Sequence, residues 1–141
     1  MTDKIQDNSI ELKHKDVTDK ILNAFFKVVH PQLGYGFLEK VYENAMFIAL
    51  KEMGLEVQQQ ARIGVYFQDH IVGEYFADLL VENSVIVEIK TVTNIAAEHE
   101  AQLINYLRAT PYEVGLLINF GPKLGFRRKG FDNDRKTITW K

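Results

Sequence analysis

An α/β fold, a mixed β-sheet flanked by α-helices, is the architecture this sequence predicts. Two segments, from Asp16 and from Leu38, carry apolar residues at helical spacing. The stretch 55–90 breaks into strand-length apolar pieces. One further helical segment then precedes a buried run at 114–119. The order is helix, helix, three strands, helix, strand, which a mixed sheet with flanking helices accommodates.

The first helix is signalled by Asp16 and Asp19 as cap and third residue, ahead of Ile21, Leu22, Phe25, Val28 and Val29. Pro31 is expected to stop it, and QLGYG to form a glycine-punctuated loop. The second helix runs from about Leu38 to Met53, with Gly54 just past its end. Strands are expected at 55–68 and 71–81, parted by Asp69-His70, and at 85–90. The third helix begins near Ala96 and ends before Pro111. Residues 126–140 read as a marginal strand pair or a tail. The domain reading is a weakly ordered segment 1–15, one domain over 16–128, and a basic tail 129–141.

The 141 residues suffice for one domain with a real core, and 46% hydrophobic with 26% charged content is ordinary for a soluble globular protein. The absence of cysteine excludes a disulfide framework, a thiolate nucleophile and a cysteine-based zinc site. The four histidines lack zinc-helix spacing. With a polar N-terminus and no membrane-length apolar run, the cytoplasm is the expected compartment and no membrane partner is expected. The net charge of −2 hides an asymmetry. Residues 1–120 carry 10 basic against 17 acidic residues, a balance of −7, and 121–141 carry 7 against 2, a balance of +5. That basic stretch fits either a phosphate-facing patch or a solubility feature.

The chemistry concentrates in GEYFADLLVENSVIVEIKTV, residues 73–92, which sets Asp78, Glu88 and Lys90 inside otherwise apolar strands. Charges in such runs are paired, solvated or bound to a cation. Strand alternation points Ile86, Glu88 and Lys90 one way, and Val85, Val87 and Ile89 toward the core. A two-residue loop at Asn83-Ser84 would put Asp78 on the wrong face; a loop of Glu82, Asn83 and Ser84 sets it opposite Glu88. Two carboxylates can hold a hard divalent cation, and an adjacent ammonium can position a water against a phosphodiester. The same residues equally fit a solvated charge ladder.

Two helices add candidates. Glu39 and Tyr42 share a helix face with Glu43 and Met46, just after Gly36. Glu39 fits a third carboxylate or a plain first-turn glutamate. Gln102 and Tyr106, four apart, stack on one face, where an amide and a phenol can hydrogen-bond water, phosphate or carboxylate; both are also ordinary helix-surface residues. His99 lies one turn earlier, and two-carboxylate-plus-lysine chemistry has no need of it.

Taken together, GYGFLEKVYENAM resembles the signature of the bacterial GxxExxY family through Gly36, Glu39 and Tyr42. FADLLVENSVIVEIK resembles that family's central hairpin, and HEAQLINYLRAT with VGLLINFG its helix and next strand. The resemblance spans about 17–127. The family is grouped with the PD-(D/E)XK nuclease superfamily, so the resemblance implies a PD-(D/E)XK nuclease-like core. It implies Asp78 and Glu88 as ligands of Mg²⁺ or Mn²⁺, Lys90 as the catalytic lysine, and Glu39 as the acidic residue of the preceding helix. Gln102 and Tyr106 match a QxxxY motif. The proline that names the superfamily is Ala77 here, and it carries no chemistry. The implied function is a metal-dependent nuclease hydrolysing phosphodiester bonds in DNA. The rival is a non-catalytic nucleic-acid-binding or regulatory module on the same fold. A homodimer or a protein partner would enlarge so small a binding surface.

Overall fold

The computed structural model describes residue 10 and residues 12–141. Residues 1–9 and 11, most of the segment expected to be weakly ordered, lie outside the described residues.

Helix α1 (Lys15–Asn23) passes without a break into a π-helical turn (Ala24–Val29) and a last short helix, α2 (His30–Leu33). Two expectations fail here. The residue before the helix is His14, in the left-handed region, so Asp16 sits in the first turn and Asp19 pairs with Lys15 at 2.7 Å. Pro31 does not stop the helix. A proline lacks an N–H and crowds the preceding turn, and the π turn just before it shifts pairing to five residues back, as in His30 N–H to the Phe25 carbonyl. The helix ends at Gly34, whose φ of 71° takes the chain out of the spiral.

Helix α3 (Glu39–Glu52) ends as expected: Gly54 has φ 86°, and Leu55 N–H reaches back to the Leu50 carbonyl at 3.2 Å. Strands β1 (Val57–Phe67) and β2 (His70–Val81) form a long antiparallel hairpin. Its turn is Gln68-Asp69, both with positive φ, one residue earlier than expected. β3 (Val85–Lys90) pairs antiparallel with β2, and β4 (Val114–Asn119) joins parallel to β3 through helix α4 (Ala97–Arg108). β5 (Gly125–Gly130) closes the sheet antiparallel to β4, giving the order β1-β2-β3-β4-β5. The mixed sheet flanked by helices is thus the observed α/β fold.

Each face of the sheet buries its own apolar layer. Val85, Val87, Ile89, Leu116 and Ile118 pack on α1–α3 through Ile21, Phe25, Met46 and Leu50. Ile86 and Leu117 pack on α4 through Leu103 and Leu107. Helix α4 lies so close that a Cβ on Gly115 would stand 2.7 Å from the Leu103 side chain. The 121–141 stretch is mostly stapled inward. Arg127 and Lys129 pair with Glu100, Lys136 donates to the Thr110 and Tyr112 carbonyls, and Lys141 pairs with Asp69. The expected boundary between 128 and 129 falls inside β5.

Candidate active site

The loop between β2 and β3 has the odd length that the site geometry requires. Val81 pairs with Val85, and Glu82 and Asn83 both take the left-handed backbone. The register continues through Leu79 opposite Val87 and there the regular ladder ends. Beyond it the carboxylates take over. Asp78 N–H donates to Glu88 Oε2 at 2.8 Å, and Ile89 N–H donates to Asp78 Oδ2 at 2.7 Å. The neighbouring β1–β2 ladder also skips the position of Gln60 and Asp78, where Gln60 holds φ 53°. A non-glycine residue in that region within a strand is strained, and such residues cluster at functional sites.

Burial governs the electrostatics. Glu88 is only 9% exposed. Desolvation first, then the Asp78 charge, pushes its carboxyl up to about 8, against the Asp78 N–H bond and Lys90. Asp78 is raised for the same leading reason, with Glu43 and Glu39 adding repulsion. Two carboxylates that resist ionisation side by side form a site that a cation would relieve.

On the α4 side, Glu88 and Lys90 line a cleft of about 310 Å³ with Glu98, His99, Gln102 and Leu117. A larger hollow of about 460 Å³, around Lys51, Glu56 and Asn83, shares no residue with it. Gln102 Nε2 donates to the Tyr106 hydroxyl at 3.2 Å. The Tyr106 ring is buried in the α4 layer, and burial with the Glu88 charge raises its pKa. The phenol therefore keeps its proton, and its hydroxyl meets Gln102, which lines the cleft. His99 Nδ1 accepts from Ala96 N–H at 3.0 Å and closes the start of α4.

Glu39 stands at the rim, exposed, its Oε2 accepting from Thr91 N–H at 3.3 Å. Tyr42 is fully buried, stacked on Phe120, with its hydroxyl donating to the Gly34 carbonyl at 2.6 Å. Sequence reasoning underweighted Glu43. It is 4% exposed, and it accepts from Gln59, Gln60 and Lys40. Gln60 bridges it to Asp78, at 2.9 Å and 3.4 Å. Helical spacing from Glu39 could have flagged Glu43; nothing in the QQQ run at 58–60 marks Gln60. A second residue missed is Asn119, 2% exposed at the end of β4. Its side chain takes Val92 N–H and Gly121 N–H on Oδ1 and donates Nδ2 to the Val92 carbonyl. A Cβ on Gly121 would lie 1.9 Å from that carbonyl, so the clamp tolerates glycine alone.

The donor chemistry fits a hard divalent cation. Half-buried Asp78 and buried Glu88 each spend one oxygen on a backbone N–H. Asp78 Oδ1, with only the long Gln60 contact, and Glu88 Oε1 remain as oxygen donors. Among the described residues no group of three or more His, Cys, Asp and Glu stands assembled around one point. Mg²⁺ characteristically takes one or two carboxylates and leaves its other positions to water and phosphate.

Comparison with known proteins bears on this arrangement. A family model described as the PD-(D/E)XK nuclease superfamily matches residues 15–129. The crystal structure of SSO0001 is similar with a TM-score of 0.52 and 16% identity, over 86% of this chain and 62% of that one. The chain therefore spans less than two thirds of that protein. An alkaline exonuclease from Laribacter hongkongensis, LHK-Exo, has a TM-score of 0.49 and 15% identity, over 86% of this chain and 73% of that one. No curated protein matches the chain. No helix among the described residues is long and apolar enough to cross a membrane. With its mixed sheet, flanking helices and a family match covering most of its length, the chain belongs to the PD-(D/E)XK nuclease superfamily.

Proposed function

We propose that this protein is a divalent-metal-dependent nuclease that hydrolyses phosphodiester bonds in DNA, from the GxxExxY branch of its superfamily. The observation that carries the reading is the interlocked pair of half-buried Asp78 and buried Glu88, the latter lining a cleft with Lys90. A surface charge ladder would leave both carboxylates solvated, with ordinary acidity; these two are desolvated and raised.

Asp78 and Glu88 would hold Mg²⁺ or Mn²⁺, with Glu39 completing the set from α3. When bound, such an ion polarises the scissile phosphate and makes an attacking water more acidic. Lys90 orients that water or offsets charge on the pentavalent transition state. Gln102 holds the Tyr106 hydroxyl, whose proton would serve a phosphate oxygen or a carboxylate. Gln60 keeps Asp78 and Glu43 at a fixed separation. A cytoplasmic location, and a homodimer or protein partner that extends the binding surface, belong to the same proposal.

The test is a cleavage assay over single-stranded, duplex and nicked DNA and over RNA, with Mg²⁺ or Mn²⁺, beside Lys90→Ala. Cleavage by the wild type that Lys90→Ala loses supports the reading. Nucleic-acid binding with no cleavage under any of these conditions would favour a non-catalytic binding module.

A further inference from the structure

The segment between α2 and α3 presents apolar rings to solvent and is nonetheless held firmly. Tyr35 is 62% exposed, Phe37 48% and Leu38 80%. Gly34 and Gly36 supply the positive φ values, 71° and 120°, that the loop's turns require. Tyr42, itself buried, fixes both ends of the loop. Its hydroxyl donates to the Gly34 carbonyl at 2.6 Å and accepts from Phe37 N–H at 3.2 Å. Phe37 rests edge-on against Tyr42, with centroids 6.1 Å apart. Among the described residues Tyr35 makes no ring contact and no hydrogen bond through its hydroxyl.

The loop also has a definite neighbourhood. Leu38 leads directly into Glu39, whose carboxylate touches Thr91 N–H, the residue after Lys90. Behind the loop, Tyr42 stacks on Phe120 at 4.3 Å, and Phe120 N–H bonds the Lys90 carbonyl at 2.8 Å. Glu39 and Tyr42, which follow and clamp the loop, thus each tie it to the segment that carries Lys90, one wall of the carboxylate cleft.

We infer that the loop 34–38 is a stacking platform for unpaired nucleobases, which makes single strands and frayed ends the substrate class; this rests on the nucleic-acid reading above. A strand whose phosphate lies at Asp78 and Glu88 would carry its neighbouring bases past this loop. Flat rings carried on a fixed loop stack on bases of any sequence, and the loop itself has little conformational freedom left to lose. A duplex hides its base faces except at its ends, so only unpaired bases can use the platform. The G-x-x-E-x-x-Y spacing gains a physical sense: Gly36 shapes the loop, Tyr42 clamps it, and Glu39 ties it to the cleft.

The test measures binding of a labelled oligo-dT strand and of a blunt-ended hairpin duplex by fluorescence anisotropy with Mg²⁺. The protein is Lys90→Ala, so that no cleavage occurs, with and without Tyr35→Ala/Phe37→Ala. Losing each stack should weaken single-strand binding roughly five- to hundredfold, with duplex affinity changed less than about twofold. Tyr35→Phe should keep single-strand affinity. Melting and Mn²⁺ calorimetry on the double variant establish that fold and cleft are intact. Unchanged single-strand binding by a folded double variant overturns the platform alone. So does an equal loss for strand and duplex, or a wild-type dimer that the double variant dissolves. Failure of the Lys90→Ala and wild-type proteins to bind either nucleic acid overturns the platform and the proposed function together.

Discussion

Asp78 and Glu88 are bound to each other's strands: Asp78 N–H donates to Glu88 Oε2, and Ile89 N–H donates to Asp78 Oδ2. Side chains here replace the ladder bonds that would otherwise join β2 to β3. The exchange fixes both carboxylates and leaves Asp78 Oδ1, with its long Gln60 contact, and Glu88 Oε1 as oxygen donors. It also makes their protonation a property of the fold, because neither can leave its partner without orphaning a backbone N–H.

The first prediction concerns pH. Burial and the Asp78 charge raise the Glu88 pKa from an ordinary 4.5 to about 8. Between those values the folded protein holds a proton that the unfolded chain releases, so stability falls as pH rises through that window and levels off above it. Asp78, also raised, adds in the same direction. Metal-free protein should therefore melt several degrees lower at pH 8 than at pH 5.5. Added Mn²⁺ should recover the difference at pH 8 and change little at pH 5.5. A melting temperature that rises from pH 5.5 to pH 8 without metal would contradict the burial account.

The second prediction separates the Glu88 charge from its hydrogen bond. Glu88→Ala leaves Asp78 N–H without its acceptor, a loss of about 1–3 kcal/mol if the group stays dry, which hides the relief of removing a charge. Glu88→Gln keeps an acceptor for that N–H and removes only the charge. At pH 8 it should melt at or above the wild-type temperature while binding Mn²⁺ at least tenfold more weakly by calorimetry. Wild-type Mn²⁺ affinity in this variant would remove Glu88 from the ligand set.

The hairpin was legible because alternation and loop length together restrict the geometry. Only the odd loop brings Asp78 opposite Glu88, and Asn83 accepts the left-handed backbone that loop needs. Pro31 misled because a proline is read as a helix stop, and the π turn that accommodates it has no marker in AFFKVV. Gln60 and Asn119 were invisible for another reason. Their roles arise from contacts 17 or more residues away in sequence, in Glu43, Asp78 and Val92. No local pattern encodes an amide that turns inward to meet such partners.

Asn119 supplies the third prediction. It holds both polar groups of the Val92 backbone, two residues beyond Lys90, and Phe120 N–H holds the Lys90 carbonyl. Asn119→Ala strands Val92 N–H, the Val92 carbonyl and Gly121 N–H, at about 1–3 kcal/mol for each group that water cannot reach. The β3 exit that carries Lys90 should loosen, while Asp78 and Glu88 lie on the far side of Lys90 from the break. Cleavage should fall at least tenfold at a temperature where the variant is folded, with Mn²⁺ affinity within about threefold of wild type. Parallel losses of metal affinity and turnover would mean that the variant merely unfolds the site.

The fourth prediction isolates one hydroxyl. The Tyr106 ring packs with Leu103 and Leu107 and leans on Tyr75 with centroids 5.6 Å apart, while its oxygen meets Gln102. Tyr106→Phe preserves that packing and gives up a single hydrogen bond, so stability should change by only about 1 kcal/mol. If the phenol's proton serves the phosphate or a carboxylate, cleavage should drop roughly ten- to hundredfold with unaltered oligonucleotide binding. Leu103→Ala is the control for packing alone. It opens a hole against Gly115 and should lose about 2–5 kcal/mol, with any fall in cleavage following the folded fraction. Wild-type turnover by a well-folded Tyr106→Phe protein would leave Tyr106 as a core ring, and the Gln102 pair as support for the helix rather than part of the chemistry.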